Sequence, residues 1–215
     1  HLYRGLFLTF TLLYIGVYLQ GQLSVVNIYT LLLSLWNGFD IRLFLLDPVI
    51  FVLWTFTFAS TLLWGRGLFC GWLCPFGALQ ELVNQFARHF RIPQFELPYA
   101  VHERLWAIKY LVLLVLFGIS LDSLALAEQF AEIEPFKTTF LLKFDREWPF
   151  IAWAAFLILI NLINRKPFCR YLCPLGAALS VPSGMRLFSW LKRRPDCGTP
   201  CKTCAKECEI QAIQP

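Results

Sequence analysis

Phe69-Cys70-Gly71-Trp72-Leu73-Cys74-Pro75 returns later in the chain as Phe168-Cys169-Arg170-Tyr171-Leu172-Cys173-Pro174. Both cysteines recur at an offset of 99 positions. Over the eleven positions from Phe69 to Leu79, seven are identical in the second copy, and Trp72 against Tyr171 keeps an aromatic ring. An internal repeat governs how everything around it is read. Here each copy ends in a CxxxCP pair of thiols, so the duplication points to chemistry.

Working outward, the surroundings of both motifs are apolar. The 215 residues are 58% hydrophobic and only 15% charged, with a mean hydropathy of +0.58. Soluble domains carry roughly a quarter charged residues, so this composition belongs to a membrane protein. The eight cysteines form two CxxxC pairs and one longer run, and none stands alone. Beside transmembrane segments that pattern favours metal over disulfides. Residue 1 is His and an apolar run starts almost at once, so no signal peptide is visible and the start is expected to be cut from a longer chain.

Gly5 to Phe39 contains no charged residue, a run of 35 positions broken by Gln20-Gly21-Gln22. One span needs about 20 residues. The pattern predicts a helix near 5–19 and a short second one near 24–36; the alternative is one span followed by a re-entrant or surface segment. Further spans are expected at 49–64, 105–121 and 149–164, with Lys109 snorkelling from the start of its span to the interface. Between Phe76 and Phe90 the apolar residues Phe76, Leu79, Leu82, Val83, Phe86 and Phe90 share one helical face, and Gln80, Glu81, Asn84, Gln85 and Arg88 share the other. That helix is expected on the membrane surface or packed as an ordinary amphipathic helix.

Lys and Arg number four in 65–104 and nine in 165–215, against one in 37–48 and three in 122–148. This asymmetry places both motifs on the cytoplasmic side. If 5–19 and 24–36 both span, residue 1 lies outside. The expected fold is therefore an all-α polytopic membrane protein with two direct repeats, each a helical hairpin followed by CxxxCP and a surface helix. The division reads as a first helix over 1–23, repeats over 24–97 and 98–194, and the start of a ferredoxin-like domain over 195–215.

Cysteines four apart on a helix share a face, so Cys70, Cys74, Cys169 and Cys173 together offer four thiolates. Pro75 and Pro174 can each start a new helix whose first N–H groups aim at the sulfurs. Four soft ligands suit a single tetrahedral iron, an iron–sulfur cluster or zinc; two inert thiol pairs in the packing are the plain alternative. The last run, Cys197, Cys201, Cys204 and Cys208, resembles the bacterial ferredoxin pattern with one extra residue in the first gap and Glu209 in place of the usual Pro. Zinc competes less well, because its sites favour CxxC pairs across a longer gap. A two-cluster ferredoxin needs a second such motif, and none precedes Pro215, so the chain is expected to stop inside that domain.

Other candidates are weaker. His89 and His102 read as surface residues, and Arg170, Arg186 and Lys192-Arg193-Arg194 as a basic stripe for lipid headgroups. The acidic connection 122–148, with Phe130, Phe136 and Phe140, reads as a partner face or a capping loop. No nucleotide fingerprint or nucleophile triad is present, and nothing points to nucleic acid.

WGRGLFCGWLCPFGALQEL, KPFCRYLCPLGAALSVP and CGTPCKTCAKECEIQAI together resemble the NosR family, membrane flavo-iron–sulfur proteins of nitrous oxide respiration. NapH- and CcoG-type CxxxCP polyferredoxins are related but match the wording less closely. The resemblance runs from about Asp47 to the end. It implies a bacterial inner-membrane protein with a periplasmic FMN domain before the spans and two [4Fe–4S] clusters in a cytoplasmic domain after them; the FMN domain and the second cluster motif are expected beyond this chain. It implies electron transfer in support of nitrous oxide reductase or its maturation factors, with a quinone as a further candidate partner. A NapH-type quinol dehydrogenase and a non-redox membrane scaffold or sensor are the rival readings.

Overall fold

The computed structural model describes residues 2–37, 48–95, 98–122, 126 and 130–188. Within them the chain is helical and has no strand. Helix α1 (Leu2–Phe10) continues as a π-helical segment, Thr11–Tyr18, and Gln20 then turns through a positive φ of 50°. Helix α2 (Val25–Asn37) follows, then α3 (Pro48–Leu63), α4 (Pro75–His89), α5 (Tyr99–Asp122), α6 (Trp148–Leu159), α7 (Pro174–Ala178) and α8 (Ser180–Ser183). The first cysteine of each CxxxC pair lies on a one-turn π-helix, Phe69–Leu73 before α4 and Phe168–Leu172 before α7, and the second caps it.

One described helix, Ala100–Leu121 within α5, is long and apolar enough to cross a membrane; Pro48–Leu63 and Trp148–Leu162 are shorter apolar helices. The offset of 99 relates elements as well as motifs. Leu2–Tyr18 corresponds to 101–117 in α5, and α3 corresponds to α6 with its 3₁₀ continuation Ile160–Leu162. Packing follows the same rule: α1 and Thr11–Tyr18 lie on Phe69–Leu73 and α4, while α5 lies on Phe168–Leu172 and α7. Gly16 is a close approach, since a Cβ there would stand 2.9 Å from the Pro75 Cβ.

Helix α4 is turned the opposite way from the surface helix expected of its sequence. Its polar residues Gln80, Glu81 and Asn84 are buried, while Phe86 and Phe90 are 60% and 62% exposed. For Glu81 and Asn84 the reason is partner supply; Gln80 is buried with neither amide atom hydrogen-bonded. Glu81 meets Lys166 at 2.6 Å and Arg4 at 2.8 Å, and Asn84 Nδ2 donates to the Asn161 carbonyl at 2.9 Å and to Gln94 Oε1 at 2.6 Å. A buried polar group so bonded avoids its desolvation penalty.

The repeats exchange these contacts reciprocally. Gly65, at φ +93°, lets the chain leave α3. Arg66 then reaches the second copy, where its Nη1 donates to the Gly176 carbonyl at 3.0 Å and its N–H to Ser183 Oγ at 3.3 Å. In return, Lys166 of the second copy reaches Glu81 of the first. Phe69, Phe76, Phe136, Phe140, Phe168 and Leu175 fill the core between the copies, with Phe76 edge-on to both Phe136 and Phe168. Phe136 and Phe140 are 5% and 4% exposed, so this part of the 122–148 connection folds inward and is not a partner face.

Candidate functional site

The two CxxxCP motifs make the same local structure. The Cys74 N–H donates to the Phe69 carbonyl at 2.8 Å and the Cys173 N–H to the Phe168 carbonyl at 2.9 Å, which closes each i→i+5 turn. Cys74 and Cys173 then leave the helix with ψ of 114° and 107° and become the N-caps of α4 and α7. Pro75 and Pro174 stand first in the new helices, where a missing N–H costs nothing. As the spacing predicted, the freed N–H groups turn to sulfur: Gly77 N–H donates to Cys74 Sγ at 3.4 Å and Gly176 N–H to Cys173 Sγ at 3.3 Å. Gln22 Nε2 adds a donor 3.7 Å from Cys74 Sγ, a contribution from the α1–α2 turn that periodicity could not reveal.

Cys74 and Cys173 sit in the central core, and Cys70 and Cys169 pack against it. All four are free thiols. Burial pushes Cys70 up to about 12, and the ionised Cys74 beside it pushes the same way. Cys169 and Cys173 are raised for the same first cause, and each also feels Cys70. Four thiols are thus gathered into one low-dielectric neighbourhood, where each opposes the ionisation of the next. Against this stand three cations, Arg66, Lys109 and Lys166, whose charge bears on Cys70. Among the described residues no three His, Cys, Asp or Glu groups converge tightly enough for one metal ion. Four soft donors gathered round one core, with N–H groups aimed at two of them, are the residues that would hold an iron–sulfur group, which would supply one-electron chemistry there.

Three sequence expectations are corrected nearby. His102 is buried, not on the surface; its Nδ1 lies 3.0 Å from Tyr171 Oη and 3.0 Å from Arg170 Nη2. Arg170 is 7% exposed and so does not face lipid headgroups. Lys109 does not snorkel; it is 3% exposed and lies over the rings of Trp106 and Tyr110. In each case the inward partners belong to the same repeat: the Phe168–Leu172 turn for His102, His102 and Asn164 for Arg170, and two rings of its own helix for Lys109. His89 and Arg186 are exposed as expected. Cys197, Cys201, Cys204, Cys208 and Lys192-Arg193-Arg194 lie outside the described residues.

A cavity of about 260 Å³ adjoins the site, lined by Gln22, Ser24, Ile50, Glu134, Phe136 and Phe140 among others. Glu134 Oε2 accepts from Ser24 Oγ at 2.6 Å and from the Val25 N–H at 3.3 Å. Burial pushes its carboxyl up to about 7. At the rim Glu132 is clamped by Arg146 and Lys137, which hold it below the usual carboxylate range.

The duplicated helical scaffold and its paired thiols define a class, a helical protein built from two CxxxCP iron–sulfur repeats. The family described as a 4Fe-4S binding domain matches residues 46–93 and 147–195, one match on each repeat. The chain is 66% identical to the Regulatory protein NosR of Pseudomonas aeruginosa over 97% of its own length and 29% of that protein's. It is 46% identical to the Protein NirI of Paracoccus denitrificans over 97% of its length and 31% of NirI. It is 32% identical to the Putative electron transport protein YccM of Escherichia coli over 65% of its length and 40% of YccM. Over the region it covers, the chain belongs to the NosR family. It spans under a third of the length of its NosR and NirI relatives. No solved structure matches it.

Proposed function

We propose that this chain is the membrane electron-transfer segment of a NosR-type protein, with Cys70, Cys74, Cys169 and Cys173 holding one iron–sulfur centre between the repeats. The observation that carries the reading is the gathering of both thiol pairs, with their N–H donors, into one buried neighbourhood. A thiolate-held iron–sulfur group supplies one-electron transfer. In the full-length protein the run Cys197, Cys201, Cys204 and Cys208 belongs to a two-cluster cytoplasmic ferredoxin domain, and an FMN domain stands on the opposite side. Electrons pass between them in support of nitrous oxide reductase. About 30 Å of hydrocarbon exceeds one efficient hop, so a further carrier is needed. A quinone is the natural candidate, and the cavity beside Gln22 is its candidate seat.

The charge asymmetry supports cytoplasmic motifs. The offset correspondence supports repeats that open at Leu2 and Tyr99, with Leu2–Tyr18 running in the same direction as α5. The outside start that two spans in 5–36 would give is the alternative to that division. A regulatory reading also has support, because the NosR relatives carry that word in their names. A sensor would use the same centre as its redox input.

The test is anaerobic iron, sulfide and EPR analysis of full-length protein beside its Cys70→Ser/Cys169→Ser variant. Loss of one distinct iron signal, with the ferredoxin signals retained, is expected. Unchanged iron and spectra would make the CxxxCP thiols structural.

A further inference from the structure

We infer that Lys109 is the charge-compensating residue of the four-thiol centre and that its ammonium sets the centre's reduction potential. The inference rests on the iron–sulfur reading of that site. Lys109 stands inside the apolar helix Ala100–Leu121 and is 3% exposed. Among the described residues its Nζ has no carboxylate and no hydrogen-bond acceptor. It lies 4.6 Å from the Trp106 ring centroid and 5.4 Å from that of Tyr110. Two aromatic faces are weak compensation for a buried cation, and an ionisable residue within an apolar span calls for a partner.

The partner is the thiol cluster: Lys109 is buried in α5, which packs on the Phe168–Leu172 turn that carries Cys169, and its charge bears on Cys70, Cys169 and Cys173, members of both pairs. Lys166 is paired with Glu81 at 2.6 Å, and Arg66, which stays charged, is bonded to the Gly176 carbonyl. Of the three cations that bear on Cys70, Lys109 is the one with neither an anion nor a hydrogen-bond acceptor of its own among the described residues. The duplication itself sharpens this point. The counterpart of Lys109 at the offset of 99 is Phe10, which is 54% exposed and stacked on Tyr14. One repeat therefore places a cation inside where the other places an outward ring. Four thiolates around an iron–sulfur group leave net negative charge, and reduction adds another negative charge to the same buried volume. A fixed cation favours the reduced form and raises the potential.

The test is an EPR-monitored redox titration of full-length holoprotein, with iron content and thermal midpoint recorded alongside. Lys109→Met is expected to bind iron and to disfavour reduction at least tenfold, a fall of 59 mV or more for one electron. Lys109→Arg, which keeps the charge, is expected to stay close to wild type in both iron and potential. If Lys109→Met loses iron while Lys109→Arg retains it, the charge is needed to hold the centre, which also supports the inference. A Lys109→Met protein that titrates at the wild-type potential overturns it, as does loss of iron in Lys109→Arg. Absence of any Cys70- and Cys169-dependent signal in wild type overturns the iron–sulfur reading and this inference with it.

Discussion

Two glycines at equivalent positions carry different constraints. Each donates its N–H to a motif sulfur, but a Cβ on Gly77 would stand 2.9 Å from the Cys70 carbonyl oxygen, a backbone atom that cannot swing aside. A Cβ on Gly176 meets nothing nearer than Cys173 Sγ at 3.6 Å. Gly77→Ala is expected to cost about 1–3 kcal/mol through overpacking and to reduce iron binding; Gly176→Ala should match wild type in both. Equal behaviour of the two in thermal unfolding and iron analysis would contradict the geometry. Glu134 makes a pH prediction. Its carboxyl is raised from an ordinary 4.5 to about 7 in the folded chain. Between those values the unfolded chain sheds the proton and the folded one keeps it, so this group's contribution to stability falls as pH rises. The loss is on the order of 3 kcal/mol by pH 8. Glu134→Gln cannot titrate, so its stability relative to wild type should improve from pH 4 to pH 8 in unfolding assays. A difference constant across that range would refute the assignment.

At the scale of elements, α4 shows how a helix can be amphipathic and yet face the opposite way from a water-soluble one. Glu81 and Asn84 meet fixed partners inside, while Phe86 and, just past the helix end, Phe90 face outward, the orientation that suits an apolar surround. The same packing sets the direction of the first helix. Arg4 reaches Glu81, Gly5 lies by Gln85, and Gly16 lies by Pro75, so Leu2–Tyr18 runs antiparallel to α4. Positions 3 and 88, both exposed, are then expected on one membrane face. An azide-bearing side chain introduced at either should react with an impermeant reagent from the same side of sealed vesicles. Labelling from opposite sides would restore two spans within 5–36.

For the whole molecule, the link between repeats is polar as well as apolar. Glu81 is 3% exposed and bridges Arg4 and Lys166. Removing the shared carboxylate takes the anion from the buried Lys166, so Glu81→Gln is expected to destabilise by about 3–5 kcal/mol. Lys166→Met leaves Arg4 in place and should cost less. The double variant should recover part of the Glu81→Gln loss, because the unpaired buried cation is gone. Strictly additive losses in chemical unfolding would show that the pair is not coupled.

The sequence by itself determined the duplication, the helical class, the apolar character and the four motif cysteines. These are carried by spacing and composition, which survive without knowledge of neighbours. The helix start at each CxxxCP was legible too, since proline after the second cysteine fixes it locally. The inward turn of Gln80, Glu81 and Asn84, the burial of His102, Lys109 and Arg170, and the Gln22 donor to Cys74 were not. Most depend on a partner tens of residues away, as Glu81 does on Lys166, Asn84 on Asn161, His102 on Arg170 and Cys74 on Gln22, while Gln80 and Lys109 are buried by packing that spacing does not record. Periodicity records that a residue shares a face with others, but not what that face meets. Only the tertiary structure, by setting one repeat against the other, decided which polar groups were buried with partners and which apolar ones were left outside.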